Sequence, residues 1–242
     1  GSTSGTGRAS SCSRSSRLAA SMLRAAVGVR GSQRRPRVHF KVAMSPRGEI
    51  AAENGDPVAL TGEAAAVFTH TQRQQSHAIL TSIKTVLHDD PQFTVRLQGK
   101  VGYKPVYLLD SYLRLPLHAR LLLTAKPLTV FHQHDACKFK LAQLQQRGVR
   151  CIALPGDDAG LCLASVLAQV AADGVHDVWV EAGAALWTSF YVQQRIDRLL
   201  LLVAPRSLPD PGRLLRSSVP NHYVRWLPPQ IVSLQPGTLF IY

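Results

Sequence analysis

The sequence lacks most of the short motifs by which nucleotide-binding and hydrolytic enzymes are found. No G-x-G-x-x-G follows an apolar run, no phosphate-binding P-loop occurs, and no G-x-S-x-G supports a hydrolase. The paired H-x-E and P-C-x-x-C motifs of zinc deaminases are absent as well. These absences exclude the glycine-fingerprint dehydrogenases, the P-loop enzymes and the zinc deaminases.

The chain also has few cysteines and no long apolar run. Its four cysteines show no C-x-x-C spacing, and Cys151 and Cys162 lie in apolar stretches. We therefore expect reduced, buried thiols and a reducing compartment, the cytoplasm. No apolar segment approaches the roughly 20 residues that span a bilayer, so we expect a soluble protein without a membrane partner.

Acidic residues are missing from residues 1–37, which carry eight arginines. The remainder holds 20 basic and 15 acidic residues, so most of the net charge of +13 belongs to this segment. We expect residues 1–36 to be a disordered leader: an expression tag, an organellar transit peptide or the remnant of an upstream domain. No aromatic residue precedes Phe40, so we expect no nucleic-acid partner.

From residue 37 onward, short apolar runs alternate with helical patterns. This alternation predicts an α/β fold, a predominantly parallel sheet with helices on both faces. The predicted strands are 38–44, 78–81, 106–109, 128–131, 149–154, 178–180, 199–203 and 239–242. The predicted helices are 62–75, 138–146, 161–172 and a segment that begins at residues 182–184, with a loop at Asp89-Asp90-Pro91.

The segment DVWVEAGAALWTSF (177–190) is the most informative local pattern. A strand ends in Glu181, and the small residues that follow begin a helix at the carboxyl edge of the sheet. Free backbone N–H groups and the positive end of the helix dipole lie there, which favours an anion such as a cofactor phosphate. The alternative is a crossover turn whose small residues only permit close packing.

Metal chemistry has little support in the sequence. His132 and His134 are spaced to offer two imidazoles, but no third ligand is spaced to join them. We interpret them as a solvated pair at a strand end and expect no metal. From composition and spacing alone, the chain is an anion-binding α/β domain.

Three blocks together resemble one family. They are KVAMSPRGEIAAENGDPVALTG (41–62), SHAILTSIKTVLHDDPQFTVR (76–96) and VEAGAALWTSF (180–190), followed by LLLLVAPRSL (199–208). In order and separation they resemble the reductase domain of the bacterial bifunctional riboflavin-biosynthesis deaminase/reductase. The resemblance covers about residues 37–242 and implies a dihydrofolate-reductase-like fold, which accounts for a nicotinamide enzyme without the glycine fingerprint.

The resemblance implies an NADPH-dependent oxidoreductase, which we expect to be a homodimer. Its reaction would reduce the ribosyl group of 5-amino-6-(5-phosphoribosylamino)uracil to a ribityl chain, with hydride transfer to the sugar C1 through the ring-opened imine. Such a site needs a slot for the cofactor, cations for the phosphate, and polar groups that orient sugar and pyrimidine.

The resemblance also implies site residues, although it assigns no catalytic group. Substrate contacts would come from Lys41, Arg73, Phe93, Arg96 and Glu181. Cofactor contacts would come from Ala43, Thr85, Asp89, Ser111, Gly183, Ala184, Ala185, Leu186, Trp187, Thr188 and Ser189. We expect the fold to bring Arg73 and Arg96 into one pocket that faces the cofactor, with Lys41 and Glu181 nearby.

Each assignment has a plainer alternative. Arginine suits a phosphate ester because its guanidinium group donates two parallel hydrogen bonds. The alternative for Arg73 is a solvated charge on a helix face, and the alternative for Arg96 is a charge at a strand edge. Asp89 fits a turn before Pro91. Lys41 is harder to dismiss, because a lysine within an apolar strand must be paired or functional.

The first block departs from the family pattern at three positions. Arg47 replaces an aspartate, Pro57 replaces a substrate-binding serine, and Ala59 replaces a tryptophan that packs on the cofactor. Loss of that tryptophan removes apolar contact worth about 1–3 kcal/mol. One alternative is that the positive charge of Arg47 compensates by engaging the 2′-phosphate of NADP. Two hypotheses therefore stand: an active reductase, or a weak paralogue that serves as a nucleotide-binding or structural partner of a separate deaminase.

Overall fold

A computed structural model describes residues 35–44, 62–203, 230–234 and 237–241. Its helices are α1 (Glu63–Gln75), α2 (Ile83–Asp89), α3 (Leu121–Thr124), α4 (Lys138–Gln146), α5 (Leu163–Ala172) and α6 (Ala184–Val192). Its strands are β1 (Arg37–Met44), β2 (Ala78–Ser82), β3 (Val95–Leu97), β4 (Lys100–Gly102), β5 (Val106–Leu109), β6 (Leu128–His132), β7 (Arg150–Ala153), β8 (Gly156–Asp157), β9 (Gly160–Leu161), β10 (Asp177–Glu181), β11 (Arg198–Val203), β12 (Gln230–Leu234) and β13 (Gly237–Ile241).

Nine strands form one sheet in the order β12-β13-β11-β1-β10-β2-β5-β6-β7. All pairings from β11 to β7 are parallel, whereas β13 is antiparallel to both β11 and β12. The pairs β3–β4 and β8–β9 are separate two-stranded ribbons. The predicted α/β architecture with a predominantly parallel sheet is confirmed.

The sheet separates two apolar cores. On one face, α5 and α6 pack on alternate residues of the strands, including Phe40, Val178 and Val180. On the other face, α1 to α4 cover the residues in between, including Ile79 and Trp179. Burial of each large side chain contributes about 1.5–3 kcal/mol. Because alternation sends Trp179 to the α1 face, Glu181 two residues later faces α1 as well.

The chain order places β10 at the centre of the sheet. After β1, the chain builds β2, β5, β6 and β7 to one side, then returns to insert β10 between β1 and β2. From β10 it passes through α6 to β11, on the other side of β1. The direction of winding therefore reverses at β10, and ligands of open α/β sheets bind in the crevice at such a reversal.

Several local predictions need correction. The loop predicted at Asp89-Asp90-Pro91 begins one residue later, because Asp89 is the last residue of α2, a helix that was not predicted. The Ser82 hydroxyl caps this helix by accepting a hydrogen bond from the Thr85 amide. The helix predicted from residue 161 begins at Leu163, because residues 160–161 pair in the ribbon β8–β9. Strand β12 and the ribbon β3–β4 were not predicted.

The cysteines are less buried than expected. Cys137 is exposed, and Cys151 and Cys162 are half-buried. None of these three residues forms a disulfide in the described part of the chain, and burial raises the pKa of the Cys151 thiol to about 11.

The leader falls mostly outside the described residues, which begin at Arg35. Arg35 forms an ion pair with Asp197, and Pro36 is buried, so the last two residues of the predicted leader contact the fold. No helix among the described residues is long and apolar enough to cross a bilayer.

Candidate active site

The crevice is centred on Glu181, the last residue of β10. Lys41 lies opposite it in the register of β1. On the other side, the Thr81 hydroxyl of β2 donates a hydrogen bond of 2.8 Å to the Glu181 backbone carbonyl. The three central strands therefore fix the backbone position of this carboxylate, and its side chain extends toward α1.

Glu181 forms a two-pronged ion pair with Arg73 of α1. Nε of Arg73 lies 2.6 Å from Oε1 and Nη2 lies 3.0 Å from Oε2. The indole Nε1 of Trp179 donates a third hydrogen bond, of 2.7 Å, to Oε1. Both side chains of the pair are nearly buried, with 12% and 11% of their surface exposed. Geometry of this kind is required for a buried pair to offset the cost of removing two charges from water.

The pair keeps Glu181 ionised. Burial alone would raise the pKa of this carboxyl, but the charge and hydrogen bonds of Arg73, the charge of Lys41 and the Trp179 N–H lower it to about 2. Oε1 accepts two hydrogen bonds and Oε2 accepts one. Because a carboxylate oxygen has two lone pairs, Oε2 retains capacity to accept a further hydrogen bond from a ligand.

Phe93 and Thr94 support the arginine. The Arg73 guanidinium lies 5.3 Å from the centroid of the Phe93 ring, a cation–π contact, and its Nη1 donates to the Thr94 carbonyl at 2.9 Å. Phe93 is 3% exposed and has a φ of 48°. Its side chain belongs to the core beneath Arg73, so the structure gives it a supporting position rather than an open face.

The two predicted arginines differ in environment. Arg73 directs all three guanidinium nitrogens to Glu181 and Thr94. Arg96 is exposed, and no partner of its guanidinium lies among the described residues. Both arginines lower the pKa of His70, which places them on the same side of the molecule. Of the two, Arg96 has the guanidinium available to an incoming anion.

Lys41 and Asp89 bring further charge to this edge. The charge of Lys41 lowers the pKa of both Glu181 and Asp89, so it lies within electrostatic range of the two carboxyls. Asp89 is the last residue of α2, where burial raises its pKa against the opposing charges of His88 and Lys41. Ala43 is half-buried on the same face of β1.

The opposite side of the Glu181 turn presents backbone. Gly183 precedes α6 with extended dihedrals, φ −78° and ψ −176°. Among the described residues, apart from its two chain neighbours, no atom lies within 4 Å of where its Cβ would stand. The first backbone hydrogen bond of the helix runs from Trp187 to Gly183. The amides of Ala184, Ala185 and Leu186 in the first turn therefore have no partner within the helix. This open start is the feature that the sequence predicted for an anion.

Side chains further along α6 are only partly committed to contacts within the protein. Trp187 is 1% exposed and packs edge-on to Phe40, with ring centroids 5.3 Å apart. Its indole Nε1 is a buried donor without a hydrogen-bond partner among the described residues. The hydroxyls of Thr188 and Ser189 donate to the carbonyls one turn earlier, at 2.9 and 3.1 Å. The backbone of the first turn is therefore the main source of donors for an anion at this helix start.

Two other predicted cofactor residues lie along the same carboxyl edge. The Thr85 hydroxyl is 3.2 Å from that of Ser82 at the start of α2. Ser111 follows β5, and its carbonyl accepts a hydrogen bond from the Gln133 amide. The neighbouring Asp110 is buried and accepts the Leu115 amide at 2.8 Å, and burial raises its pKa. Asp110 therefore shapes the loop that carries Ser111.

The histidine pair is only partly as predicted. His132 is buried, and its Nδ1 lies 2.8 Å from the Gln133 carbonyl, so the interpretation of a solvated pair is wrong for this residue. His134 is exposed. Within the ranges that the structure describes, no cluster of three or more His, Cys, Asp or Glu side chains is arranged to hold a metal.

Several residues of the site were not identified from the sequence. They are His70, Thr81, Thr94 and Trp179. The spacing of His70 and Arg73, one helical turn apart, was the available signal, because residues at i and i+3 share a helix face. Arg47, Pro57 and Ala59, where the chain departs from the resembled pattern, lie outside the described residues.

The arrangement is that of an α/β protein with a charged crevice at the carboxyl edge of its sheet. The chain belongs to the RibD C-terminal domain family, whose model matches residues 36–240. It is 32% identical over 171 residues to the riboflavin biosynthesis protein RibD of Bacillus amyloliquefaciens, covering 70% of this chain and 46% of that protein. It is 30% identical over 173 residues to the 2,5-diamino-6-ribosylamino-4(3H)-pyrimidinone 5′-phosphate reductase of Methanothermobacter thermautotrophicus, covering 71% and 78%.

Solved structures agree on the fold. RibD of Acinetobacter baumannii superposes with a TM-score of 0.70 at 27% identity, covering 86% of this chain and 57% of that one. The riboflavin biosynthesis reductase Rib7 of Saccharomyces cerevisiae gives 0.67 at 14% identity, covering 88% and 91%, a likeness of fold alone. The expected dihydrofolate-reductase-like fold is confirmed. The chain spans about half the length of the RibD proteins it matches.

Proposed function

We propose that this chain is an NADPH-dependent reductase of riboflavin biosynthesis that converts the ribosyl group of 5-amino-6-(5-phosphoribosylamino)uracil to a ribityl chain. Membership of the family and the names of its relatives support this class of reaction. The observation that carries the proposal is the crevice at the end of β10, with an ionised, oriented carboxylate on one side and an open helix start on the other.

The open helix start suits the cofactor. The amides of Ala184, Ala185 and Leu186, which have no partner within the helix, would donate to its phosphates. The space beside Gly183, which no atom of the described residues fills, leaves room for them. The bound nicotinamide would supply the hydride. Family membership implies a nicotinamide cofactor, and the choice of NADPH over NADH is part of the proposal.

Glu181 would orient the substrate as an acceptor. Its carboxylate is held by Arg73 and Trp179, so it stays ionised and cannot donate a proton at neutral pH. The remaining lone pair on Oε2 would accept a hydrogen bond from a sugar hydroxyl or a pyrimidine N–H. Pre-oriented acceptors of this kind reduce the barrier by holding the reacting carbon in place.

Arg96 and Lys41 would supply positive charge for the 5′-phosphate and the polar end of the substrate. Arg96 is exposed on the side of Arg73, and its guanidinium has no partner in the described ranges. Arg73, which the resemblance assigned to the substrate, would act mainly by holding Glu181. A phosphate contact from Arg96 would contribute about 1.5–3 kcal/mol, because one partner is charged.

The decisive experiment is an NADPH oxidation assay with the deaminated pyrimidine made in situ by a separate deaminase. We expect NADPH consumption that depends on the pyrimidine, with the ribitylamino product identified by mass spectrometry. NADH in place of NADPH is the control for cofactor choice. Cofactor binding without turnover would instead favour the hypothesis of a weak paralogue that serves as a partner of a separate deaminase.

We further propose that residues 37–242 form the reductase domain and that residues 1–36 are a leader. The protein would be a homodimer. It would act in the cytoplasm, or in an organelle if the leader is a transit peptide. Sedimentation of the purified chain tests the dimer. A reporter fused to the first 36 residues tests the compartment.

A further inference from the structure

His70 is a half-buried histidine of α1 that the proposed reaction leaves without a role. It lies one turn before Arg73 on the same helix face. Its Nδ1 is 3.1 Å from the Thr94 carbonyl oxygen and 3.2 Å from the Arg96 backbone nitrogen. The ring therefore links α1 to the segment that carries Arg96, the cation proposed for the substrate phosphate.

These two contacts require different states of one nitrogen. The Arg96 amide is a donor, so Nδ1 must offer a lone pair and the ring proton must sit on Nε2. The Thr94 carbonyl is an acceptor and would need a proton on Nδ1. Because that carbonyl already accepts the Arg73 guanidinium at 2.9 Å, an unprotonated Nδ1 leaves both backbone groups, the Thr94 carbonyl and the Arg96 amide, with a partner.

The surrounding charges favour this neutral form. Burial lowers the pKa of His70, and the charges of Arg73 and Arg96 lower it further, against the Thr94 carbonyl and Glu181, which raise it. At neutral pH the ring therefore accepts the Arg96 amide. When the pH falls below the ordinary pKa range of histidine, the ring is protonated and Nδ1 becomes a donor. The Arg96 amide then loses its acceptor.

We propose that His70 is a positioning residue for substrate binding: its unprotonated Nδ1 fixes the Arg96 backbone and thereby aims the Arg96 side chain at the substrate phosphate. This inference rests on the proposed function. Because His70 acts on the arginine and not on the reacting carbon, its loss should raise the KM for the phosphorylated pyrimidine while leaving kcat and cofactor binding unchanged.

Two substitutions separate this role from simple packing. In His70→Asn, the amide oxygen can take the place of Nδ1 as an acceptor but cannot titrate; in His70→Leu, the acceptor is lost. We expect His70→Leu to raise the KM for the pyrimidine roughly tenfold, the effect of one hydrogen bond, and His70→Asn to stay within about threefold of wild type. His176→Leu, at the amino edge of the sheet beside β10, is the control histidine.

The pH profile is the second readout. In the wild type, the KM should rise as pH falls below the ordinary histidine range, because the neutral acceptor is then lost. In His70→Asn this rise should be smaller, because only the substrate phosphate, whose second pKa is about 6, then titrates in this range. An equal increase of KM in the Asn and Leu variants, or a rise on acidification as large in His70→Asn as in wild type, would overturn the proposal.

A measurement without substrate keeps the two proposals distinguishable. Amide hydrogen exchange at Arg96 should be faster in His70→Leu than in wild type and restored in His70→Asn, whether or not the protein reduces the pyrimidine. Unchanged exchange in His70→Leu would contradict the geometry itself. A wild type that fails to consume NADPH, with the exchange pattern as expected, would overturn only the proposed reaction and with it the role of Arg96 in phosphate binding.

Discussion

The two sides of the crevice at the end of β10 are built by different means. Toward α1, side chains satisfy one another: Glu181 accepts from Arg73 and Trp179, and Arg73 also donates to Thr94. Toward α6, the first helical turn presents backbone amides beside Gly183, where a Cβ would meet no atom of the described part of the chain beyond its own neighbours. One side is paired internally, and the other is open to an anion.

This difference has consequences for function. A carboxylate that is already fixed and ionised can select a ligand by the direction of its remaining lone pair. Backbone amides at a helix start attract an anion of almost any identity, because they read charge and not shape. The paired side should therefore carry stability and substrate choice, whereas the open side should carry cofactor affinity and little stability.

Removing Arg73, the cation paired with Glu181, should have the largest effect on stability. Arg73→Leu would leave the Glu181 carboxylate buried without its cation, which destabilises a fold by about 3–5 kcal/mol. Urea unfolding of the purified variant measures this loss.

The matched control is Arg150→Leu, which breaks an ion pair on the surface. Arg150 is 49% exposed, and its partner Asp173 keeps hydrogen bonds from Tyr107 and Gln169. An exposed pair of this kind contributes about 0–1 kcal/mol. Equal losses in the two variants would contradict the contrast between a buried and an exposed pair.

Acidification should lower the contribution of Glu181 to the free energy of unfolding by about 3 kcal/mol. The pKa of Glu181 is about 2 in the folded protein against an ordinary 4.5. A carboxyl with a lowered folded pKa adds stability above its unfolded pKa and loses it as pH falls toward the folded value. The stability gap between wild type and Glu181→Gln should therefore shrink by about that amount between pH 5 and pH 2, in unfolding curves at each pH. A constant gap would show that Glu181 does not titrate in this way.

The sequence predicts local features of this site better than distant pairings. Residues 177–190 form a strand, a turn and a helix start within one short segment, so the pattern alone located the open side. The pair of Arg73 and Glu181 joins residues 108 positions apart, and no local pattern states which side chains meet. The resemblance supplied both residues but assigned them to the ligand and not to each other.

Other differences have equally specific causes. Helix α2 was not predicted because it has only seven residues, and its Ser82 cap was the available signal. The assignment of Trp187 to the cofactor comes from the resemblance of residues 183–189 and stays a prediction. His70 shares a helix face with Arg73, but it was missed because its partners Thr94 and Arg96 lie 24 and 26 residues further along the chain.

Substitution of Arg96 tests whether this residue binds the substrate phosphate. Arg96→Ala should raise the KM for the phosphorylated pyrimidine by about ten- to a hundredfold, the equivalent of about 1.5–3 kcal/mol, with cofactor affinity unchanged. Lys100→Ala removes an exposed cation from the partner strand of the same ribbon and serves as the control. Steady-state kinetics with the pyrimidine varied measure both. If both variants raise the KM equally, general positive charge, and not the position of Arg96, attracts the substrate.

The smallest expected effect concerns the open side, where charge alone should matter. Gly183→Asp places a carboxylate at the start of α6, and the extended φ of −78° accepts any side chain. Repulsion of the cofactor phosphates should weaken NADPH binding by about 1 kcal/mol, roughly fivefold, in calorimetric titration. Stability should hold or rise slightly, because aspartate is a favourable residue before a helix. Gly183→Asn has nearly the same shape without the charge and should bind NADPH more tightly than the aspartate variant. Unchanged NADPH affinity in Gly183→Asp would place the cofactor phosphates elsewhere along the carboxyl edge of the sheet.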